Sequence, residues 1–280
     1  MAQARDVLRR VLGKLRAIHE STYPHLFERR HLSKVSKESL LFHYGNIHSQ
    51  VGQDGILAEI FRRVGIAYGT FVEFGAWDGV YMSNSRWLFE KGWNGVFIEA
   101  DFGRFKRLEA NYAGTEVHCA NAIVGTKAGS RLADLLPVDP NTVTFVSIDV
   151  DGIDLEIFEN LGFKPPVVLM EGGFHFVPEV TQRIPVEEAA RNLQQPISVI
   201  CKSAETLNYV PVCFYQDVYL VREDLAAPFR RMSAAELYAD AFHFMPVDLR
   251  ERLSQTRSNS SVVRRVEQSE LGRFDPVPIK

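Results

Sequence analysis

Residues 69–101, GTFVEFGAWDGVYMSNSRWLFEKGWNGVFIEAD, form the stretch that decides the fold. The run Thr70–Phe74 is β-branched and aromatic and has a glycine on either side, which is typical of a buried strand. A loop containing Gly75 and Gly79 follows, then a helical pattern, and then a second apolar run that ends in Glu99. A strand, a glycine loop, a helix and a strand in this order predict a nucleotide-binding unit of a parallel sheet.

The acidic residues of this stretch indicate which nucleotide it binds. Glu99 follows Gly79 by about 20 residues, the spacing at which an acid accepts hydrogen bonds from ribose hydroxyls. Glu73 and Asp78 place two carboxylates at the loop, which repel a pyrophosphate and favour a cationic ligand. A dinucleotide fingerprint also needs a third loop glycine, and Asp78 stands there instead. The loop therefore favours S-adenosylmethionine, which carries a sulfonium and an amino group.

Further apolar runs extend the predicted sheet. Strands are expected at 116–120, 142–148, 166–170, 209–215 and 217–221, with the last two forming an antiparallel pair. Helical patterns lie between most of them. The chain therefore predicts an α/β fold with a seven-stranded, mostly parallel sheet, helices on both faces and helical terminal extensions.

A second group of polar residues follows the fourth and fifth predicted strands. Asp149, Asp151 and Asp154 come after one strand, and Glu171 and His175 come after the next. Because ligands bind outside the carboxyl ends of parallel strands, Asp149, Asp151 and Glu171 could hold Mg²⁺ or another hard divalent ion. The alternative is that Asp149 orients substrate, Asp151 and Asp154 cap the next helix, and Glu171 forms a structural salt bridge.

Five motifs in register resemble one family. They are HSQVGQDGIL, FVEFGAWDG, the pair Ser83-Asn84, GWNGVFIEAD and SIDVDGIDLEIFENL, and the likeness runs from about His48 to Arg222. Together they resemble the FkbM-type S-adenosylmethionine-dependent methyltransferases. Two departures stand out: Asp78 replaces the usual third loop glycine, and Asp151 stands where many relatives have Glu.

The resemblance implies a Rossmann-like class I methyltransferase fold and an O-methyltransferase acting on a sugar, a glycan or a glycosylated small molecule. It places the adenine beside the residues that follow the third strand and Gln50 near the cofactor. Asp149 or His175 would serve as general base, or a divalent ion would lower the pKa of the acceptor hydroxyl. The expected cofactor-binding residues are Gln50, Glu73, Gly75, Asp78, Gly79, Ser83, Asn84, Glu99, Asn121, Ala122 and Asp149.

The chain divides into three predicted parts: an N-terminal helical extension at 1–47, the S-adenosylmethionine-binding domain at 48–222, and C-terminal helices with a polar tail at 223–280. Residues 1–20 form a basic amphipathic pattern, which predicts a helix that packs on its own domain or on a partner subunit, or that lies on an anionic membrane surface. Residues 255–280 are polar with little periodicity, so we expect them to be disordered or to cover a subunit interface of a homo-oligomer.

Composition excludes several classes of protein. A formal net charge of −3 provides no basic field for nucleic acid. Three widely spaced cysteines without a CxxC pair, no apolar run long enough to span a membrane and no secretory signal predict a cytoplasmic protein. The expected partner is a small-molecule or glycan substrate. Two rival functions stay open: an NAD(P)-dependent oxidoreductase and a non-catalytic scaffold on a methyltransferase fold.

Overall fold

A computed structural model describes residues 33–150, 152–189 and 194–271, and it contains one seven-stranded sheet in the order β3-β2-β1-β4-β5-β7-β6. Strands β1 to β5 are parallel, and β7 is antiparallel to both of its neighbours. This is the Rossmann-like class I methyltransferase fold, and it confirms the predicted sheet. The strands are β1 Thr70–Phe74, β2 Asn94–Glu99, β3 His118–Asn121, β4 Val143–Ile148, β5 Val167–Glu171, β6 Tyr209–Tyr215 and β7 Asp217–Arg222.

Helices connect the strands and extend beyond the sheet. Those of the described residues are α1 Gln53–Val64, α2 Arg86–Glu90, α3 Phe102–Asn111, α4 Leu132–Leu135, α5 Asp154–Glu159, α6 Val186–Ala189, α7 Ile197–Thr206, α8 Ala234–Phe244, α9 Val247–Asn259 and α10 Ser261–Leu271. Short 3₁₀ helices span Leu40–His43, Pro140–Thr142 and Glu223–Leu225. Within this set, no helix is long and apolar enough to cross a membrane.

The central strands are apolar almost throughout because helices cover the sheet on both faces. In β1 and β2 every residue except the first is buried. Local signals set the helix starts: Asp101 accepts a hydrogen bond from the Arg104 backbone N–H at 2.8 Å and so caps α3. Ser233 and Glu236 form a capping box at the start of α8. The sheet and its helices thereby hold the carboxyl ends of β1 to β5 along one edge.

The terminal parts of the described chain pack onto the same core as the sheet. Leu40 and Leu41 from the N-terminal side are buried in that core, and so are Leu237 and Phe244 of α8. The predicted helix at residues 1–20 lies outside the described residues. The division at 47 and 222 stays a prediction, although side chains from both flanks share the core of the central part.

Of the two alternatives for the C-terminal tail, disorder is wrong over 255–271, where the chain is helical except at Ser260, while a role at a subunit interface stays a prediction. Val263 and Val266 of α10 are buried in a second, smaller core with Phe176, Val180 and Ile184. These two valines stand three residues apart, so they lie on one helical face, but the polar residues around them concealed that short apolar stripe. Residues 173–196, which we call the β5–α7 segment, supply the other half of this core. Within the described residues of this segment, Val186–Ala189 form a short helix, and Gln194 and Gln195 are not helical.

Candidate active site

A cavity of about 590 Å³ opens at the carboxyl ends of β1, β2, β3 and β4. Residues from all four strand ends and from the start of α1 contribute to it, as expected for a parallel sheet of this kind. Its wall includes Gln50, Gln53, Glu73, Gly75, Trp77, Tyr81, Asn84, Glu99, Arg104, Ala122, Ile123 and Asp149. We call it the donor cavity. Seven of the eleven predicted cofactor-binding residues line it, namely Gln50, Glu73, Gly75, Asn84, Glu99, Ala122 and Asp149.

Gly75 lets β1 approach the end of β4. Its φ is +72°, and a Cβ at this position would lie 1.9 Å from the backbone oxygen of Asp149. No side chain fits there without moving the backbone. The glycine therefore brings the loop after β1 against the end of β4, where both line the donor cavity.

The backbone of Trp77 joins the loop after β1 to the side chain of Glu99. Trp77 has a φ of +54°, and its backbone N–H donates to Glu99 Oε2 at 2.8 Å. The Asp101 N–H donates to Glu99 Oε1 at 2.7 Å. Glu99 is 4% exposed, yet it lines the donor cavity. Two backbone donors orient this carboxylate, and each of its oxygens keeps capacity to accept a further hydrogen bond.

Glu73 lies at the base of the cavity. Ser83 Oγ donates to Glu73 Oε2 at 2.9 Å, and the Asn84 N–H donates to Oε1 at 3.3 Å. Burial raises the pKa of Glu73 to about 7 in spite of these donors. The Asn84 side-chain amide donates to Ser147 Oγ at 3.1 Å, and its Oδ1 is buried with no hydrogen-bond partner in the protein. Asn84 thus offers an unsatisfied acceptor to a ligand that brings a donor.

Four predicted cofactor residues are not among those that line the cavity, and the structure gives three of their side chains another task. Asp78 Oδ1 accepts from the N–H groups of Val80 and Tyr81 at 3.0 and 2.8 Å and so forms a turn. Ser83 holds Glu73, as described above. Asn121 donates through Nδ2 to the backbone oxygens of Glu99 and Ala100 at 2.8 and 3.0 Å.

Gly79, the fourth, packs against the ring of Tyr112, whose hydroxyl donates to the Gly79 backbone oxygen at 2.5 Å. All four residues therefore shape the loops around the cavity and do not face into it. In the sequence, these polar or small residues were as suitable for ligand contact as the residues that line the cavity.

The predicted base His175 and the predicted metal ligand Glu171 line a second cavity of about 380 Å³. Asp149 follows β4 and Glu171 ends β5, and the parallel register pairs Ile148 with Met170. One lining residue of each cavity, Asp149 and Glu171, therefore stands at the tip of one of two neighbouring strands. Burial, together with the charges of Asp149, Asp217 and Asp154, raises the pKa of Glu171 to about 8.

The structure describes two of the three predicted metal ligands, since Asp151 lies outside the described residues. Within residues 33–150, 152–189 and 194–271, no group of three or more His, Cys, Asp or Glu side chains is arranged to hold a metal ion. Asp154 accepts from the N–H groups of Val150 and Gly152 at 3.0 and 2.9 Å, and it therefore holds the turn before α5. Asp154 is the first residue of α5 and does not cap it, so the capping alternative is not what its side chain does.

Sequence reasoning missed two features of the site. Gln53 Nε2 donates to Asp217 Oδ2 at 2.6 Å, which ties α1 to β7, and burial raises the pKa of Asp217 to about 7. Arg104 lies with Cζ 3.8 Å from the centre of the Trp77 ring, at the wall of the donor cavity. Gln53 stands in the quoted motif HSQVGQDGIL, so a signal existed for it, whereas Asp217 and Arg104 had none.

Comparison with known proteins gives structural neighbours and no sequence family. No protein-family model matches the chain, and no curated protein matches it. The O-methyltransferase TomG from Streptomyces achromogenes, involved in tomaymycin synthesis and solved with S-adenosylmethionine, shares 17% identity; the alignment covers 74% of this chain and 97% of TomG, with a TM-score of 0.45. The O-methyltransferase from Bacillus cereus, solved with S-adenosylhomocysteine, shares 15% identity over 73% of this chain and 100% of that protein, with a TM-score of 0.42.

A third neighbour is TrmK from M. capricolum, solved with S-adenosylhomocysteine. It shares 9% identity over 79% of this chain and 89% of TrmK, with a TM-score of 0.40. At these identities the likeness concerns the fold alone, and the strand order already defines that fold. The resemblance to the FkbM-type enzymes stays a prediction.

Proposed function

We propose that this protein is an S-adenosylmethionine-dependent O-methyltransferase. One observation carries the proposal: the donor cavity combines a ribose-type acid at the end of β2 with two further carboxylates, Glu73 and Asp149, at the ends of β1 and β4. Carboxylates stabilise a sulfonium and an ammonium group, and they disfavour the pyrophosphate of a dinucleotide. The charge pattern therefore favours this cofactor over NAD(P).

The cavity residues fit the parts of S-adenosylmethionine. Asn84 Oδ1 is an unsatisfied buried acceptor that an amino group satisfies. Glu99 accepts hydrogen bonds from the two ribose hydroxyls. Ile123 is 74% exposed and lines the cavity beside Ala122, so an adenine ring that packs on it covers apolar surface. In this assignment Gln50, which also lines the cavity, lies near the cofactor.

Methyl transfer joins the acceptor oxygen to the methyl carbon as the bond from that carbon to sulfur breaks, and the sulfur keeps the electron pair. The residues of this chain hold the acceptor in line and take up its hydroxyl proton. We assign Asp149 or His175 as the general base. Asp149 lines the donor cavity and follows β4, while His175 lines the second cavity and follows β5.

The acceptor we propose is a hydroxyl of a sugar, a glycan or a glycosylated small molecule. The proposal follows from the resemblance to FkbM-type enzymes. The polar side chains Glu171, Gln194 and Gln216 in the second cavity support it, because sugar hydroxyls need donors and acceptors at close spacing.

A divalent ion is a separate proposal for the same region. Asp149, Asp151 and Glu171 would hold Mg²⁺ through their carboxylate oxygens, and the ion would lower the pKa of the acceptor hydroxyl. Dialysis against EDTA tests this. Loss of methyl transfer that Mg²⁺ restores would support a metal. Full activity in EDTA would refute the metal proposal, and Asp149 or His175 would then be the group that accepts the hydroxyl proton.

Calorimetric titration of the purified chain tests the main proposal. We expect S-adenosylhomocysteine to bind with micromolar affinity, and NAD⁺ and NADP⁺ to give no heat. Binding of NAD(P) alone would move the assignment to an oxidoreductase. Failure of all three ligands to bind would favour a non-catalytic scaffold.

A further inference from the structure

We propose that the 380 Å³ cavity is the acceptor site and that it takes an uncharged, amphiphilic hydroxyl compound, most simply a glycoside with an apolar aglycone. This inference rests on the proposed function and narrows its acceptor class. A cavity of this size is in the ~300–1,000 Å³ range of small-molecule sites. It therefore suits one sugar with a short apolar substituent.

One side of this acceptor cavity is polar. Glu171, His175, Gln194 and Gln216 line it together. Gln194 Nε2 donates to the carboxylate of Glu171, and the Gly172 N–H donates to the Gln216 backbone oxygen at 2.7 Å. These contacts hold the polar groups in place, so the hydroxyls of an acceptor meet a fixed set of donors and acceptors.

Another part of the cavity lining is apolar. It consists of Phe174, Met245, Leu249 and Leu253. Leu249 and Leu253 belong to α9, and Met245 lies between α8 and α9. Leu249 and Leu253 stand four residues apart on one helical face, as expected for side chains that meet one ligand. A free sugar leaves this wall without an apolar partner, whereas an alkyl or aryl aglycone covers it.

The cluster of carboxyl groups near the reacting end favours an acceptor that is neutral there. Asp149, Asp154 and Asp217 act electrostatically on Glu171. A phosphate or a carboxylate beside the hydroxyl to be methylated would add a further negative charge to this acidic cluster, which disfavours it. Arg252 lines the same cavity but is exposed, so it marks the outer end of the site.

The residues that line the cavity come mainly from the β5–α7 segment, from the β6–β7 turn and from the C-terminal helices, and the second core joins the first of these to the last. The β5–α7 segment carries Phe174, His175 and Gln194, while α10, which follows the helix with the apolar wall, buries Val263 and Val266 against that segment. Arg265 and Glu188 form an ion pair across the same contact. The C-terminal helices therefore belong to the acceptor site.

A pair of glycosides that differ only in the aglycone tests the proposal. The full chain is first loaded with S-adenosylhomocysteine, whose binding is measured separately by calorimetry. The phenyl and methyl β-glycosides of the same sugars are then titrated into the loaded protein, and methyl transfer is followed by release of S-adenosylhomocysteine from the reaction with S-adenosylmethionine. We expect the phenyl glycoside of the preferred sugar to bind at least roughly tenfold more tightly than its methyl glycoside.

Leu249→Ala is the matching variant. It should weaken phenyl glycoside binding roughly fivefold or more and leave methyl glycoside binding and S-adenosylhomocysteine binding unchanged. Ile47→Ala is its control, because Ile47 is 70% exposed and lines neither cavity.

Three results would overturn the proposal while S-adenosylhomocysteine still binds. They are equal affinity for the two glycosides, binding of neither glycoside, and equal effects of Leu249→Ala and Ile47→Ala on the phenyl glycoside. Loss of S-adenosylhomocysteine binding by the unaltered protein would instead refute the proposed function itself.

Discussion

Replacement of Glu99 by alanine tests the donor cavity most directly. Glu99 is 4% exposed, and its carboxylate accepts two backbone hydrogen bonds of 2.8 and 2.7 Å from Trp77 and Asp101. In the proposed complex it also accepts from two ribose hydroxyls. A hydrogen bond to a charged group contributes about 1.5–3 kcal/mol, so losing both ribose contacts should cost at least about 3 kcal/mol of binding free energy. That is roughly a hundredfold rise in the Kd of S-adenosylhomocysteine.

Asp78→Ala is a matched control in the same loop. Asp78 also accepts two backbone hydrogen bonds, at 3.0 and 2.8 Å, but it does not line the donor cavity. The N–H groups it leaves, on Val80 and Tyr81, belong to exposed residues where water can replace the carboxylate. We therefore expect its Kd to change by no more than about threefold, corresponding to ~0.5 kcal/mol.

Calorimetry gives the Kd of each variant, and thermal unfolding shows whether each is folded. Glu99→Ala should also lower the free energy of unfolding by about 1–3 kcal/mol, because it removes a buried carboxylate that accepts two backbone hydrogen bonds. Unchanged binding in Glu99→Ala, or an equal loss in Asp78→Ala, would refute the assignment of Glu99 to the ribose.

Three further predictions concern the same cavity. Gly75→Ala should lower the melting temperature and abolish S-adenosylhomocysteine binding in calorimetry, because φ is +72° and the new Cβ would lie 1.9 Å from the Asp149 backbone oxygen. Gly92→Ala is the control: φ is +84° but the space around it is open, so the free energy of unfolding should fall by only about 1–2 kcal/mol. Equal effects of the two substitutions would contradict this prediction. The pKa of Glu73 is about 7 in the folded chain against an ordinary value of 4.5, so the folded state binds more protons than the unfolded state between those pH values. The free energy of unfolding should therefore fall as pH rises from about 4.5 to about 7, by up to about 1.4 kcal/mol per pH unit. Urea unfolding of the wild type and of Glu73→Gln measures this, and an identical fall in both would exclude Glu73 as a source. Trp77 is 41% exposed and lines the cavity, whereas Trp87 and Trp93 are at most 9% exposed. S-adenosylhomocysteine should therefore change the tryptophan fluorescence emission of the wild type and not that of Trp77→Phe. A change that persists in the variant would show that the ligand binds elsewhere.

The sequence was sufficient to predict the sheet, and the reason lies in the periodicity of its strands. Buried parallel strands are short apolar runs, and each run here has turn residues on either side. Because the carboxyl ends of such strands share one edge, the positions of Glu73, Glu99 and Asp149 in the cavity wall followed from their places after the strands.

The roles of individual polar residues could not be predicted in the same way. Asp78, Ser83 and Asn121 stand at positions as suitable as those of Glu99 and Asn84, but their side chains bond to the backbone of the loops or to Glu73. A carboxylate or an amide accepts hydrogen bonds from a ligand and from a backbone N–H with equal ease. Residue type therefore indicated a polar loop, while the partner of each side chain depended on the folded backbone.

By itself, the sequence determined the order of strands, the glycine loop and the row of acids at the strand ends, because these depend on local periodicity and on spacing along the chain. Only the tertiary structure decided which distant residues meet. It placed Gln53 on Asp217, Glu171 among three other acids, and α10 against the β5–α7 segment. Those contacts join residues separated by many positions, and their geometry is set by packing of the whole core, which leaves no trace in the local pattern of the chain.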